Sequence, residues 1–206
     1  MATNAFKSIQ QQLGPHVIPK VAHDEQDRRK CQEGSRDEVI GLIMDWATEE
    51  NAAPILWLHG PAGSGKSTIA LTVCSRLASE DHARAPHQQL AASWFFSRNA
   101  NRTTTLGFFA TIAYQLALSQ SFLRDDMATT LDNNPKFFDK THDIQLAKLI
   151  LDQIRPLAES LHHPLIVVID ALDECTEDDA ENLVEVLVNA FQDNQHLPIR
   201  FILTSR

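Results

Sequence analysis

The stretch Ile55-Leu56-Trp57-Leu58-His59-Gly60-Pro61-Ala62-Gly63-Ser64-Gly65-Lys66-Ser67-Thr68 decides the fold. It opens on a short apolar run, turns sharply at glycine, and continues as Lys66–Leu77 with Ile69, Val73 and Leu77 along one face. A short apolar run closed by glycine reads as a buried parallel strand, and the periodicity after it reads as a helix. Residues 60–67 satisfy GxxxxGK[ST], the Walker A pattern. Glycines let such a loop curl so that backbone N–H groups converge on a β-phosphate. The following helix adds the partial positive charge of its N-terminus. Lys66 is placed for the β- and γ-phosphates and the Ser67 hydroxyl for Mg²⁺. The expected nucleotide-binding residues are therefore Gly60, Pro61, Ala62, Gly63, Ser64, Gly65, Lys66, Ser67 and Thr68.

Ile166-Val167-Val168-Ile169-Asp170 supplies the partner motif. An apolar strand ending in Asp sets a carboxylate at the C-terminal edge of the sheet, where ligands of such sheets bind. Asp170 is expected to hold Mg²⁺ with Ser67, through water or from behind its other ligands. Asp170 is followed by Ala171 rather than by Glu, so the next acids, Asp173 and Glu174, are the candidates for positioning the attacking water. As a helix-start acid pair they would only offset the helix dipole. Thr204-Ser205-Arg206 follows the apolar run Phe201-Ile202-Leu203 and falls at the same edge, and Arg206 is the candidate reader of the γ-phosphate.

The rest of the chain supports an α/β reading. Phe6, Ile9 and Leu13 have helical spacing, for a helix resting on the domain or a linker. Ser35 and Glu38 form a capping box ahead of a helix reaching to about residue 50. A strand is expected over 90–96. A helix should bury Leu106, Phe109, Ala110, Ala113, Leu116 and Ala117, and Asn133-Asn134-Pro135 breaks the pattern. Another helix over about 143–157 should turn Ile144, Ala147, Leu151 and Ile154 inward, and Thr176 starts a further one. The polar residues 79–89 read as a loop. Strands alternating with helices imply the three-layer P-loop NTPase fold, a parallel sheet covered by helices on both faces.

Composition narrows the partners. The 206 residues carry a net charge of −9, which repels a phosphate backbone, so nucleic acid is not expected. Three cysteines with no CxxC pair give neither a disulfide framework nor a zinc site. The N-terminus has no signal-peptide layout, and no apolar run approaches the roughly 20 residues of a membrane span. A cytoplasmic protein is expected. The histidines show no ligand spacing and read as surface or structural residues.

Taken together, WLHGPAGSGKSTIA, ASWFFSR with TIAYQLA downstream, VVIDALDEC and RFILTSR resemble the NACHT NTPases of the STAND class. The resemblance covers about residues 23–206 and is greatest to fungal NOD-like receptor-type proteins. It implies a nucleotide-driven switch, closed with ADP and opened by ATP, acting in innate immunity or programmed cell death. Carried onto this chain, residues 60–68 bind phosphates, Ser67 and Asp170 hold Mg²⁺, Asp173 and Glu174 are displaced catalytic acids, and Arg206 reads the γ-phosphate. The segment Gly34-Ser35-Arg36 would border the adenine or guanine pocket, with no signal separating ATP from GTP. Residues 1–33 would be an N-terminal polar or helical segment or linker, and 34–206 an NTPase domain incomplete at its C-terminus. No winged-helix region, effector or repeats are recognisable, and the downstream signalling partner is unknown. A P-loop small-molecule kinase, and a scaffold that binds nucleotide without turnover, remain alternatives. In the strand order the resemblance implies, one more strand would flank Ile55-Leu56-Trp57-Leu58. Without it that strand is an exposed edge, predicting marginal stability and self-association cured by the added strand. The segment before Gly34 is the expected cover if the edge is protected.

Overall fold

The protein is described here by a computed structural model covering residues 4–26, 30–32, 34–79, 89–134, 136–192 and 197–206. Most of the expected loop 79–89, and Pro135, lie outside the described residues. Four strands, β1 (Ile55–His59), β2 (Leu90–Phe95), β3 (Leu165–Asp170) and β4 (Ile199–Ser205), form one parallel sheet in the order β1-β4-β3-β2. Side chains alternate across it, as the strand pleat requires. Ile166, Val168 and Ile202 face one side, where α2 (Asp37–Thr48) and α3 (Lys66–Leu77) pack with Ile40, Ile43, Val73 and Leu77. Val167, Ile169, Phe201 and Leu203 face the other. That side is covered by α1 (Asn4–Leu13), α4 (Phe108–Ser119), α5 (Arg124–Asp132), α6 (His142–Leu146), α7 (Asp152–Ile154) and α8 (Glu177–Gln192). The three-layer α/β architecture expected from the sequence is present.

Local details differ from the sequence reading for identifiable reasons. The chain enters α2 through Gly34 and Arg36, both at positive φ, and this turns Ser35 back so that its hydroxyl donates to the Gln32 carbonyl at 2.7 Å. No side chain caps α2, and the Ser35–Glu38 capping box does not form. Gly107, at φ 72, starts α4 one residue after Leu106, which is left 79% exposed instead of facing inward. A π-helical turn, Ala147–Leu151, interrupts the helix expected over 143–157. The wider turn breaks the 3.6-residue register, so Ile144 stays exposed while Leu151 and Ile154 are buried.

The N-terminal segment packs on the domain. Phe6, Ile9 and Leu13 of α1 are buried against α4 and α5. The strap that follows lies along the edge of β2: Phe95 N–H donates to the Val21 carbonyl at 2.9 Å, and Ile18 N–H to the Thr111 hydroxyl at 2.9 Å. It therefore covers the β2 edge and not β1, contrary to the sequence expectation, because α1 finds its apolar partners on the α4–α5 side. His23 anchors the strap. Its backbone N–H donates to Ser93 Oγ at 2.8 Å and its ring Nδ1 lies 3.2 Å from the same oxygen, which suits a neutral imidazole accepting the hydroxyl proton. Burial lowers the His23 pKa below its ordinary 6.5, with Asp24 opposing and Lys30 adding to the shift. The unfolded chain thus takes up this proton first as pH falls. The stabilisation from neutral His23 is complete above about pH 6.5 and declines below it. The melting temperature should fall over that acid range, and His23→Gln should flatten the dependence; an unchanged slope in the variant would remove His23 as its source.

Strand β1 pairs with β4 alone, so its outer edge has no strand partner among the described residues. Trp57 on this strand is 51% exposed, and its indole N–H donates to Ser205 Oγ at 2.9 Å. An uncovered apolar edge invites pairing with another chain. The isolated chain should associate with itself as concentration rises, and Trp57→Lys should return it to monomer. Light scattering decides this; a wild-type chain that stays monomeric throughout sinks the expectation.

Candidate nucleotide-binding site

The sheet brings the ends of β1, β3 and β4 to one edge, and the loops leaving them build a cleft of about 340 Å³. One wall is the loop after β1. Gly63 (φ 77) and Gly65 (φ 91) occupy left-handed backbone that a side chain would strain. Gly65 is also the N-cap of α3 and makes no side-chain cap, so the first-turn N–H groups of α3 have no acceptor within the helix. Those donors and the helix's positive end face the cleft on a wall lined by Ala62, Gly63, Gly65, Lys66, Ser67 and Thr68, an arrangement of the kind that suits an anion. The Lys66 ammonium donates to the carbonyls of Gly60 at 2.6 Å and Pro61 at 3.0 Å. Gly60, Pro61 and Ser64 shape the loop without lining the cleft.

The opposite wall holds Ala171, Asp173, Glu174, Thr204 and Arg206. Both oxygens of Asp173 are engaged by Arg206: the side-chain Nε donates to Oδ2 at 2.6 Å and the backbone N–H to Oδ1 at 3.0 Å. Glu174 Oε2 accepts the Arg98 backbone N–H at 2.9 Å, and the Arg98 guanidinium donates to the Asp173 carbonyl at 2.7 Å. The three expected residues of this wall therefore stand together, tied to one another and to Arg98.

Asp170 lies beneath the cleft, fully buried at the end of β3. Its Oδ1 accepts the Thr204 hydroxyl at 2.6 Å, and Thr204 Oγ1 in turn accepts the Ala171 N–H at 2.9 Å. One hydroxyl thus fixes the carboxylate and the left-handed turn at Ala171 (φ 58) that starts the acid pair. Cys74 of α3 is close by: burial pushes its thiol pKa up, and the Asp170 charge pushes it further. Ser67 and Asp170 offer oxygen donors, the kind a hard cation such as Mg²⁺ takes.

Two contacts escape the sequence reading. The Arg36 guanidinium donates to the Ser64 carbonyl at 3.0 Å, binding the start of α2 to the phosphate loop across 28 residues. Arg98 holds the acid loop across 75 residues. Neither residue lies in a local pattern that points to its partner.

Among solved structures, the chain resembles PCH-2 of C. elegans at 13% identity and TM-score 0.38, over 100% of this chain and 42% of that one. It also resembles a chain of the HORMA:CdnC:Trip13 complex of E. coli MS115-1 at 15% identity and TM-score 0.32, over 98% of this chain and 54% of that one. The chain thus spans about half the length of these structures, and likenesses of this size carry no argument about function. No curated protein matches it. Among the described residues no helix is long and apolar enough to cross a membrane. The family model described as nephrocystin 3, N-terminal, matches residues 41–206, from within α2 through the whole sheet and cleft, and the chain belongs to that NACHT-related family.

Proposed function

We propose that this chain is the nucleotide-binding switch domain of a NOD-like receptor-type signalling protein, holding ATP or GTP with Mg²⁺ and hydrolysing it slowly. The observation that carries the reading is the facing of two walls across one cleft. The amides and Lys66 of the phosphate loop stand on one side, and the Arg206–Asp173 pair on the other. Ser67 and Asp170 would hold Mg²⁺, which neutralises phosphate charge when bound. Lys66 carries a compact positive charge suited to the β- and γ-phosphates, and the α3 amides orient the chain of phosphates. A γ-phosphate offers Arg206 a second anionic partner. Drawing Arg206 toward it would free Asp173 to orient water, with Glu174 beside it. Turnover and conformational state are thereby linked in one ion pair. Residues 34–206 form the switch unit in this reading, with residues 4–26 packed on it as helix and strap. The setting would be the cytoplasm, the role innate immunity or programmed cell death, and the output nucleotide-dependent self-association.

A kinase needs free arginines to clamp an acceptor. Here Arg98 is bound to the acid loop and Arg102 donates to Gln26 Oε1 at 3.3 Å. Coupled assays with and without small-molecule acceptors test the reading. The switch gives a low rate indifferent to acceptors; stimulation by an acceptor supports a kinase, and complete absence of turnover supports a scaffold.

A further inference from the structure

The loop from Ser97 to Gly107, between β2 and α4, is clasped on two sides. Ser97 and Arg102 close it by exchanging backbone hydrogen bonds at 3.0 and 2.8 Å. On the cleft side it holds the acid loop and the start of α8. Arg98 supplies two contacts there, to Glu174 Oε2 and to the Asp173 carbonyl. Thr176 N–H donates to the Thr103 carbonyl at 2.8 Å. The Thr105 hydroxyl and N–H donate to the Asp179 carboxylate at 3.1 and 3.3 Å. On the other side the loop holds the N-terminal strap. The Gln26 carboxamide accepts from Arg102 at 3.3 Å and donates to the Lys20 and Ala22 carbonyls at 3.0 and 2.8 Å. Gly107 lies directly against the strap. A side chain there would set its first carbon 2.5 Å from the His16 carbonyl oxygen and 2.9 Å from Ile18 Cγ1.

The strap is held lightly. Within residues 17–26 only Val21 is fully buried, while Val17 and Ile18 are half-buried, so hydrogen bonds carry much of its attachment. Segments with few buried apolar contacts open locally at low cost. Asp173, at the other end of the chain of contacts, is gripped twice: its carboxylate by Arg206 and its carbonyl by Arg98. A turn of Asp173 as Arg206 moves therefore displaces the carbonyl that Arg98 holds. The Ser97–Arg102 bridge makes Arg98 and Arg102 parts of one short closed turn, so that displacement reaches Gln26. Two sites linked in this way bias each other equally, because coupling between binding equilibria is reciprocal.

We propose that residues 17–26 are a regulatory strap coupled to the acid loop through residues 97–107. Opening the Arg206–Asp173 pair loosens the strap, and loosening the strap favours that opening. The trigger, a bound triphosphate, rests on the nucleotide reading; the coupling itself does not. Hydrogen exchange of the intact chain, read by mass spectrometry, tests both. Without nucleotide, Gln26→Ala should speed exchange over residues 171–176, and Arg98→Ala should speed it over 17–26. Each change should be about fivefold or more, with α2 on the far face of the sheet unchanged. With Mg²⁺, a non-hydrolysable ATP or GTP analogue should raise wild-type exchange over 17–26 by a similar factor relative to ADP or GDP. The coupling is overturned if either variant leaves the distant segment unchanged, or if α2 exchanges faster as well, which marks general loosening. An analogue that binds but leaves the strap as it is with the diphosphate overturns the trigger. If neither analogue binds, the nucleotide reading falls and takes the trigger with it, while the two variants still decide the coupling.

Discussion

Lys66→Ala should weaken nucleotide binding by at least about 100-fold, since charge-assisted hydrogen bonds to two phosphates are lost together. The ammonium is the only side-chain cation that the phosphate loop itself contributes to the cleft. Its described hydrogen bonds run to the carbonyls of Gly60 and Pro61, within the same loop. The variant should therefore fold normally and melt close to wild type, separating lost binding from lost structure. Titration with a fluorescent nucleotide reads the affinity; a wild-type value would remove Lys66 from the site.

Turnover by the purified chain should be slow, on the order of 10⁻⁴ to 10⁻² per second, the range of P-loop sites without a supplied arginine finger. Two features favour this. No glutamate directly follows Asp170. Asp173 is held by Arg206 through both oxygens, so it is not free to orient water until that pair opens. Asp173→Asn and Glu174→Gln should each lower the residual rate while leaving nucleotide affinity within about threefold, because neither contributes a phosphate donor. Single-turnover measurements with labelled ATP read both quantities. A rate near 10 per second without a partner contradicts the switch, and equal loss of binding makes the acids structural.

The parts of this architecture that were legible in sequence are those whose signal is local. The phosphate loop is contiguous, its glycines and its lysine are fixed by one turn, and α3 begins at Lys66 as its periodicity indicates. Asp170 is legible because an apolar strand ends on it. The buried setting of its carboxylate is not, since the Thr204 hydroxyl that holds it arrives from a strand 34 residues away. Tertiary partners also explain the other misses. Nothing in residues 17–26 announces that Val21 would satisfy the edge of β2, because a strap of this kind has no periodicity. Helix α5 went unread because Met127, Ala128 and Leu131 are few among acids and threonines, and its burial comes from α1 packing on it. The π-turn at Ala147–Leu151 is set by how the helix meets its neighbours, and an ideal helical wheel misplaces Ile144 for that reason.

The central claim is that the cleft between the phosphate loop and the Arg206–Asp173 wall holds a nucleotide. The most direct measurement is to purify the intact chain without added nucleotide, denature it, and identify and quantify what is released. The account predicts a stoichiometric diphosphate, ADP or GDP, together with Mg²⁺-dependent rebinding of the same nucleotide. A chain that releases none, and that binds neither ATP nor GTP when offered with Mg²⁺, would contradict it.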